Sequence, residues 1–253
     1  MKSVRERFAC QAMIAVVALL LPNLAWTKNK EKEPAPELVD SGSFGVYSTG
    51  HRVATETFSI KKGPEGSIVV SEFKSEQGEQ KADQSSELAL TPSVELRLYS
   101  WKELLPEKTE ATVTPNDAFL IERFGTTAAN EHEQNFLLPA STTILDDYFF
   151  IHREILAWKY LATVCRHDKG PLACPVKQKV QFGTLNPHTR SSMSVSVEFT
   201  GREKLTVRGT ERDLLRFDLK TEAGDWALWL DDHDQFKLVR LLAQIEGTEV
   251  VRD

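Results

Sequence analysis

The sequence predicts a mainly β fold, in which a curved antiparallel meander sheet is covered by one main α-helix. Two observations indicate the sheet. Apolar and polar residues alternate with period two in several short segments, and turn residues separate these segments. A third observation indicates the helix, since one segment, 143–164, carries apolar residues at helical spacing. Strands with one apolar face need a covering layer, so we expect the helix to pack on the sheet.

The N-terminus, residues 1–25, is predicted to be a secretory signal peptide. Three basic residues, Lys2, Arg5 and Arg7, precede an unbroken apolar run over 12–21. This run has 10 residues, whereas a membrane-spanning helix needs about 20, so a retained anchor is the less favoured alternative. The mature protein is therefore expected in the periplasm or secreted, without a transmembrane span.

Residues 26–41 are predicted to form a disordered leader, because they are rich in charge and contain proline. The rest of the chain, 42–253, is expected to be a single β-rich domain. The signal peptide contains three basic residues and one acidic residue, so its removal changes the net charge from −6 to −8. A negative chain without a concentrated basic patch argues against nucleic acid as a partner.

The strand pattern begins at 52–60, and a turn over 63–66 connects this segment to 67–74, which predicts a hairpin. Further strands are predicted, in chain order, at 94–99, 118–124, 193–199, 215–220, 226–231 and 236–244. Consecutive hairpins of this kind predict an antiparallel meander. The run 83–90 is polar.

The helix is predicted over about 143–164. Its apolar face follows the i, i+3, i+4 rule and comprises Leu145, Tyr148, Phe149, His152, Ile155 and Leu156. Thr143 and Asp146 form a variant of the capping box, which predicts the start of the helix. The end is predicted before Cys165.

Two cysteines remain once the signal peptide is removed, Cys165 and Cys174. An even pair in an oxidising compartment predicts a disulfide. Closing a loop of about 10 residues would stabilise the fold by about 2.7 kcal/mol in the chain-entropy treatment. The alternative is a nucleophilic thiolate of Cys165 near His167, which would have to escape oxidation.

Five residues are predicted to contact a ligand in the concavity between sheet and helix: Tyr148, Phe149, His152, Trp158 and Trp226. A curved sheet offers an apolar groove, and large aromatic side chains are the usual lining of such a groove. The alternative for each aromatic residue is a place in the core. The alternative for His152 is a core histidine that is satisfied by a hydrogen bond.

No cofactor and no metal site is predicted. His132 lies between Glu131 and Glu133, but neighbouring strand residues point to opposite faces and no second motif at ligand spacing follows, so a solvated loop is expected. The cluster 231–234 is rich in carboxylates but lacks the Gly and the distal Glu of a calcium loop. A hairpin turn is predicted there, with a weak divalent-cation site as the alternative.

The chain shows no nucleophile elbow, no zinc-protease motif, no phosphate-binding glycine loop and no dinucleotide fingerprint, so an enzyme is not predicted. We expect an exported soluble protein that binds an apolar or amphiphilic small molecule or an envelope component. Two alternatives stay open. One is an envelope scaffold or assembly factor that acts through protein contacts. The other is a hydrolase that uses His152 or His167, since catalytic triads form in space and not in sequence.

Three short motifs carry a resemblance to known proteins. They are the pattern Tyr-x-x-Gly-x-x-x-Ala-x-Glu-x-Phe at 47–58, the Leu-Asp-Asp stretch at 145–147 and the Trp-x-Asp hairpin at 229–231. With these motifs the chain, over 44–252, resembles uncharacterised exported bacterial families of domains of unknown function. The resemblance implies a β-rich fold distantly similar to the half-barrel of lipoprotein carriers, an open curved sheet with a helical cover. It carries over no ligand residue.

Overall fold

The computed structural model describes residues 34–75, 81–126, 130–166, 173–222, 224–244 and 247–253. The predicted signal peptide lies outside these residues, as does His167. Among the described residues, no helix has the length and apolar character needed to cross a membrane.

The described residues form fifteen strands and one α-helix. In chain order the elements are β1 (Glu37–Ser48), β2 (His51–Gly63), β3 (Gly66–Ser75), β4 (Asp83–Leu90), β5 (Leu96–Leu105), β6 (Glu110–Asn116), β7 (Phe119–Gly125), β8 (His132–Phe136), β9 (Thr143–Ile144), α1 (Ile151–Val164), β10 (Lys179–Asn186), β11 (Ser191–Val207), β12 (Thr210–Thr221), β13 (Gly224–Asp231), β14 (Lys237–Ala243) and β15 (Thr248–Arg252).

All strands belong to one 15-stranded sheet, in the order β8 to β1, then β15 to β9. Neighbours pair antiparallel except β9 and β10, which are parallel. The sheet therefore consists of two meanders, β1–β8 and β10–β15, that meet where β1 pairs with β15, with Phe44 opposite Arg252. Its two edges, β8 and β9, follow each other in the chain. This confirms the predicted fold class, a curved antiparallel sheet with one main helix.

The helix lies against the concave face and forms one core with both meanders. Its residues Ile151, Ile155, Leu156 and Tyr160 are at most 1% exposed. They share a single apolar cluster with inward-facing residues of both meanders, among them Phe44, Leu88, Val195 and Phe217. Burial of these side chains stabilises the fold, at roughly 25 cal/mol for each Å² of apolar surface removed from water.

The helix begins later than predicted, at Ile151 instead of Thr143. Thr143 and Ile144 form β9 beside β10. Asp146 does not cap a helix, because its carboxylate accepts a hydrogen bond from the backbone N–H of Tyr148 (2.9 Å) and so holds a local turn. The predicted capping box is therefore wrong. The apolar spacing extends upstream of the helix because Leu145 and Phe149 also face the core, although their backbone is not helical.

The C-terminal part of the predicted disordered leader, 26–41, is a strand in the structure, whereas residues 26–33 lie outside the described residues. Strand β1 begins at Glu37, which pairs with Lys62 of β2. The compact unit extends from Pro34 to Asp253. Asp40 anchors this segment, because the residue is 3% exposed and its carboxylate binds the guanidinium of Arg252 at 2.6 Å.

Cys165 and Cys174 form the predicted disulfide, with their Cα atoms 4.4 Å apart. Arg166 and Ala173 pair beside it through two backbone hydrogen bonds. The bond lies at the exit of α1, so it fixes the chain between the helix and β10.

The N-terminus of α1 is capped by Glu56, a carboxylate that the sheet supplies. The N-cap residue, Phe150, offers no side-chain hydrogen bond. The backbone N–H groups of Phe150 and Ile151 instead donate to the carboxylate of Glu56, at 2.7 and 3.3 Å, and Ser71 Oγ donates to it at 2.7 Å. Glu56 is fully buried. Burial raises its pKa from 4.5 to about 7, because desolvation outweighs these hydrogen bonds.

A second anchor also holds the first turn of the helix. Glu154 is fully buried and accepts a hydrogen bond from the backbone N–H of Leu238 on β14 (2.8 Å). Arg252 of β15 donates to Glu154 at 3.1 Å and to Asp40 of β1 at 2.6 Å. Burial and the nearby charge of Asp40 raise the pKa of Glu154. The helix is therefore tied to the strand pair where the two meanders meet.

We expect Glu56→Gln to remove a pH dependence of stability. The pKa of Glu56 is raised from 4.5 to about 7 in the folded protein, so the folded state binds more protons than the unfolded state between these values. The free energy of unfolding therefore falls as the pH rises from 4.5 to about 7, by about 3 kcal/mol. The amide of Gln still offers an oxygen to the helix N–H groups, and it does not titrate.

Urea denaturation of both proteins across this pH range tests the expectation. The difference in free energy of unfolding, variant minus wild type, should rise with pH. Glu72→Gln, an exposed neighbour of Ser71 on β3, is the control and should follow the wild type. If the free energy of unfolding depended on pH in the same way for Glu56→Gln and the wild type, the raised pKa of Glu56 would be contradicted.

Candidate functional site

The five residues predicted as ligand contacts lie at separate places. Phe149 and His152 are fully buried in the core. Trp158 lines a cavity of 440 Å³ near the C-terminal end of α1. Trp226 lines a smaller cavity, of 140 Å³, near the N-terminal end. Tyr148 is half-buried beside His188, at 4.8 Å between ring centroids. The five residues therefore do not line one common pocket.

The larger cavity, which we call the apolar cavity, lies between the last turns of α1, the β1–β3 region and the turn before β14. Its lining is largely apolar and comprises Val39, Ile60, Pro92, Val94, Trp158, Leu161, Ala162 and Phe236, together with Lys62, Ser67, Cys165 and Gln235. Trp158 Nε1 donates to the backbone oxygen of Phe236 (3.0 Å), which fixes the indole as a wall of the cavity.

Lys62 contributes the one cationic side chain of this lining. It is exposed, whereas Ile60, two positions earlier on the same face of β2, is fully buried. Lys62 therefore lies at the solvent side of the apolar cavity. It forms no ion pair with the described residues, so its ammonium group is available to a ligand.

A polar cluster at the other end of the helix is centred on His188. This residue lies in the turn between β10 and β11 and reaches across to the N-terminal meander. Its Nδ1 is 2.8 Å from Asp146 Oδ2, although the ring N–H is not aligned for a directional hydrogen bond. Its Nε2 is 2.7 Å from Gln84 Oε1, and its ring stacks on Trp101 at 4.1 Å.

Asp146 joins this cluster to the core. It is fully buried and accepts hydrogen bonds from the Tyr99 hydroxyl (2.7 Å) and from the Tyr148 backbone. Burial alone would raise the pKa of Asp146, but the contacts with His188 and the Tyr99 hydrogen bond outweigh it and lower that pKa. The same surroundings, burial first and then the carboxylate of Asp146, raise the pKa of Tyr99.

Two further buried groups near this end lack hydrogen bonds from the described residues. Both carboxylate oxygens of Glu122 and both ring nitrogens of His152 are unpartnered there. Burial raises the pKa of Glu122 to about 8, against the opposing charge of Arg190. Burial lowers the pKa of His152 to about 4. At neutral pH both side chains are therefore held uncharged, which is how a core accommodates them.

The cluster resembles an acid–base pair but lacks a nucleophile. A carboxylate beside an imidazole can orient a general base. Within the described residues, however, no hydroxyl or thiol is hydrogen-bonded to His188, and Gln84 engages its second ring nitrogen. A hydrolytic dyad needs a nucleophile at that nitrogen. The contacts of His188 with Gln84 and Trp101 attach the β10–β11 turn to β4 and β5.

The two motifs that contain a histidine between or beside carboxylates, at 131–133 and 231–234, lie in different structural settings. His132, expected in a loop, is exposed but begins β8. Asp231, Asp232 and His233 lie at the turn between β13 and β14, with ligand atoms within 4.8 Å of one another. Arg212 pairs with Asp231 and Arg202 with Asp232, so these carboxylates already have cationic partners.

The sequence pattern does not indicate Gln84 or His188 as site residues, and it predicts a helix-capping role for Asp146 instead of a place in this cluster. A signal was present in the polar run 83–90, where Gln84 and Ser86 occupy the same face as Leu88 and Leu90. All four face inward and are at most 5% exposed. Polar residues on the buried face of a strand indicate internal partners.

Asp146→Asn should lower the free energy of unfolding by about 3 kcal/mol, because a fully buried charge that holds Tyr99 and His188 is removed. Asp147→Asn is the matched control. Its side chain is exposed and accepts one hydrogen bond, from Asn186, so we expect a loss below about 1 kcal/mol. Urea denaturation at neutral pH measures both, and equal losses would refute the role given to Asp146.

No protein family model matches the chain, and no curated protein matches it. A solved structure with a similar fold is a beta-barrel-like protein of Domain of Unknown Function DUF1849 from Brucella abortus. The two share 7% sequence identity, the TM-score is 0.54, and the match covers 84% of this chain and 94% of that chain. At this identity the likeness concerns the fold alone. The chain therefore resembles an uncharacterised β-barrel-like domain, while export and the similarity to lipoprotein carriers stay predictions.

Proposed function

We propose that this protein binds a single-chain amphiphile with an anionic head group in the apolar cavity. The observation that carries the proposal is the combination of a 440 Å³ volume, a mostly apolar lining and one unpaired cation, Lys62, at its solvent side. Cavities that bind small molecules typically measure about 300–1,000 Å³ and combine apolar walls with a few polar groups.

The walls favour an alkyl chain over a polar ligand. Trp158 and Leu161 of α1 line the cavity together with Ile60 of β2 and with Val94 of the loop between β4 and β5. Each methylene group that leaves water for such surroundings contributes about 0.8 kcal/mol. Binding energy therefore grows with chain length until the cavity is filled.

Lys62 favours an anionic head group. An ion pair with a partly exposed ammonium group is worth up to about 1 kcal/mol, so its main effect is to orient the ligand with its head toward water. Trp158 is the one residue among the five predicted contacts that lines this cavity.

The proposed location, the periplasm or the outside of the cell, is consistent with this ligand class. It rests on the predicted signal peptide at 1–25, and the Cys165–Cys174 disulfide is compatible with an oxidising compartment. Lipid-derived amphiphiles are constituents of the cell envelope that such a protein would meet.

Octanoate, decanoate and dodecanoate should bind with rising affinity. Two added methylenes contribute about 1.6 kcal/mol, so each step should tighten Kd about fifteenfold, until the cavity is filled. Isothermal titration calorimetry below the critical micelle concentration measures this series. Equal affinities, or no binding of any of the three, would overturn the proposal.

Two pairs of variants test the position of the ligand. Ala162→Phe narrows the cavity from the exposed side of α1 and should weaken decanoate binding at least tenfold, whereas Thr163→Phe, the next helix residue, should not. Lys62→Gln should weaken decanoate about threefold and leave decanol unchanged. Lys61→Gln, on the opposite face of β2, is its control. Wild-type affinity in Ala162→Phe would place the ligand elsewhere and contradict the proposal.

A further inference from the structure

Arg153 is a buried cation without a carboxylate partner. It lies in the first turn of α1 and is 5% exposed. Its Nη1 donates to the backbone oxygen of Asp146 at 3.1 Å, but its Nε has no hydrogen-bond partner among the described residues. No carboxylate of these residues forms an ion pair with it. Buried charges are ordinarily paired, so the remaining donors of this guanidinium are available to an anionic group of a ligand.

The guanidinium is held in place by aromatic rings. Its central carbon lies 5.0 Å from the centroid of the Phe150 ring and 4.8 Å from that of the Trp226 ring. These contacts provide cation–π stabilisation and fix the plane of the group. They leave hydrogen-bonding capacity at its edge, which is the part that recognises a carboxylate.

Arg153 lines a cavity of 140 Å³, which we call the Arg153 cavity. Apolar side chains, among them Trp226 and Leu219, form part of its wall, and two carboxylates, Asp147 and Asp225, form another part. Asp147 accepts a hydrogen bond from Asn186 (2.7 Å), and Asp225 lies 4.0 Å from Lys220. One cation and two anions thus line the same small space; no ion pair within 4.0 Å joins Arg153 to either carboxylate, although the charge of Asp147 favours the charged form of Arg153.

From this arrangement we infer that the Arg153 cavity binds a free α-amino acid with an apolar side chain. Its carboxylate lies against Arg153, its ammonium group against the carboxylates of Asp147 and Asp225, and its side chain against Trp226 and Leu219. A simple carboxylic acid fits less well, because the two carboxylates of the wall repel it. A larger ligand is excluded by volume, since sites for drug-sized molecules begin at about 300 Å³.

Calorimetric titration with leucine and two analogues tests the class of ligand. Isocaproate lacks the ammonium group of leucine, and isoamylamine lacks its carboxylate. We expect leucine, valine or alanine to bind, and both analogues of leucine to bind at least tenfold more weakly than leucine, because each leaves a charged wall without its partner. The inference is overturned if none of the three amino acids binds, or if either analogue binds as tightly as leucine.

Substitutions place the ligand in this cavity. The double variant Asp147→Asn/Asp225→Asn should weaken leucine at least tenfold and strengthen isocaproate, because it removes both the ammonium partners and the repulsion. Asp218→Asn, whose carboxylate pairs with Arg216 and does not line the cavity, should bind leucine as the wild type does. Unchanged leucine affinity in the double variant overturns the inference.

A third variant addresses the guanidinium itself. Arg153→Met should abolish leucine binding, with thermal unfolding as the check that the protein folds. If this core substitution prevents folding, the double variant, which alters side chains at the exposed side of the cavity, decides the question alone. Lys62→Gln should leave leucine binding unchanged. The proposed amino-acid site and the proposed amphiphile site are therefore tested independently of each other.

Discussion

The N-terminus of helix α1 is buried and needs hydrogen-bond partners that water cannot supply, and the buried carboxylate of Glu56 provides them. The first N–H groups of a helix have no partner within the helix. Glu56 of β2 accepts two of them, and Glu154 in turn binds the backbone of β14 through Leu238. The helix is thus fastened to both meanders. Its fixed position sets the two cavities, because Trp158 lines one and Arg153 the other.

The fold class and the disulfide could be predicted because they depend on local pattern. Period-two alternation survives in any strand with one buried face, as at 193–199. The start of the helix could not be predicted, since Asp146 acts on Tyr99, a residue 47 positions away. In the same way the polar run 83–90 becomes a strand because Gln84 meets His188, 104 positions later. Sequence order gives no access to such contacts.

The site residues show the same division. Large apolar aromatic residues are candidates for a ligand groove, but size and polarity do not distinguish a core position, such as Phe149, from a cavity wall, such as Trp158. Lys62 and Arg153 were not chosen, because their significance lies in the ion pairs that they do not form with described residues. That property belongs to the surroundings of a side chain, and only the folded chain displays it.

The pairing of β1 with β15 also determines how the chain can fold. Each meander consists of hairpins between sequence neighbours, which form early because little chain entropy is lost. The two half-sheets then present unpaired edges to solvent, a state that invites association with other chains. They join where β15, the hairpin partner of β14, also pairs with β1. Since Arg252 of β15 binds both Asp40 and Glu154, closure of the sheet and fixation of the helix depend on the same side chain.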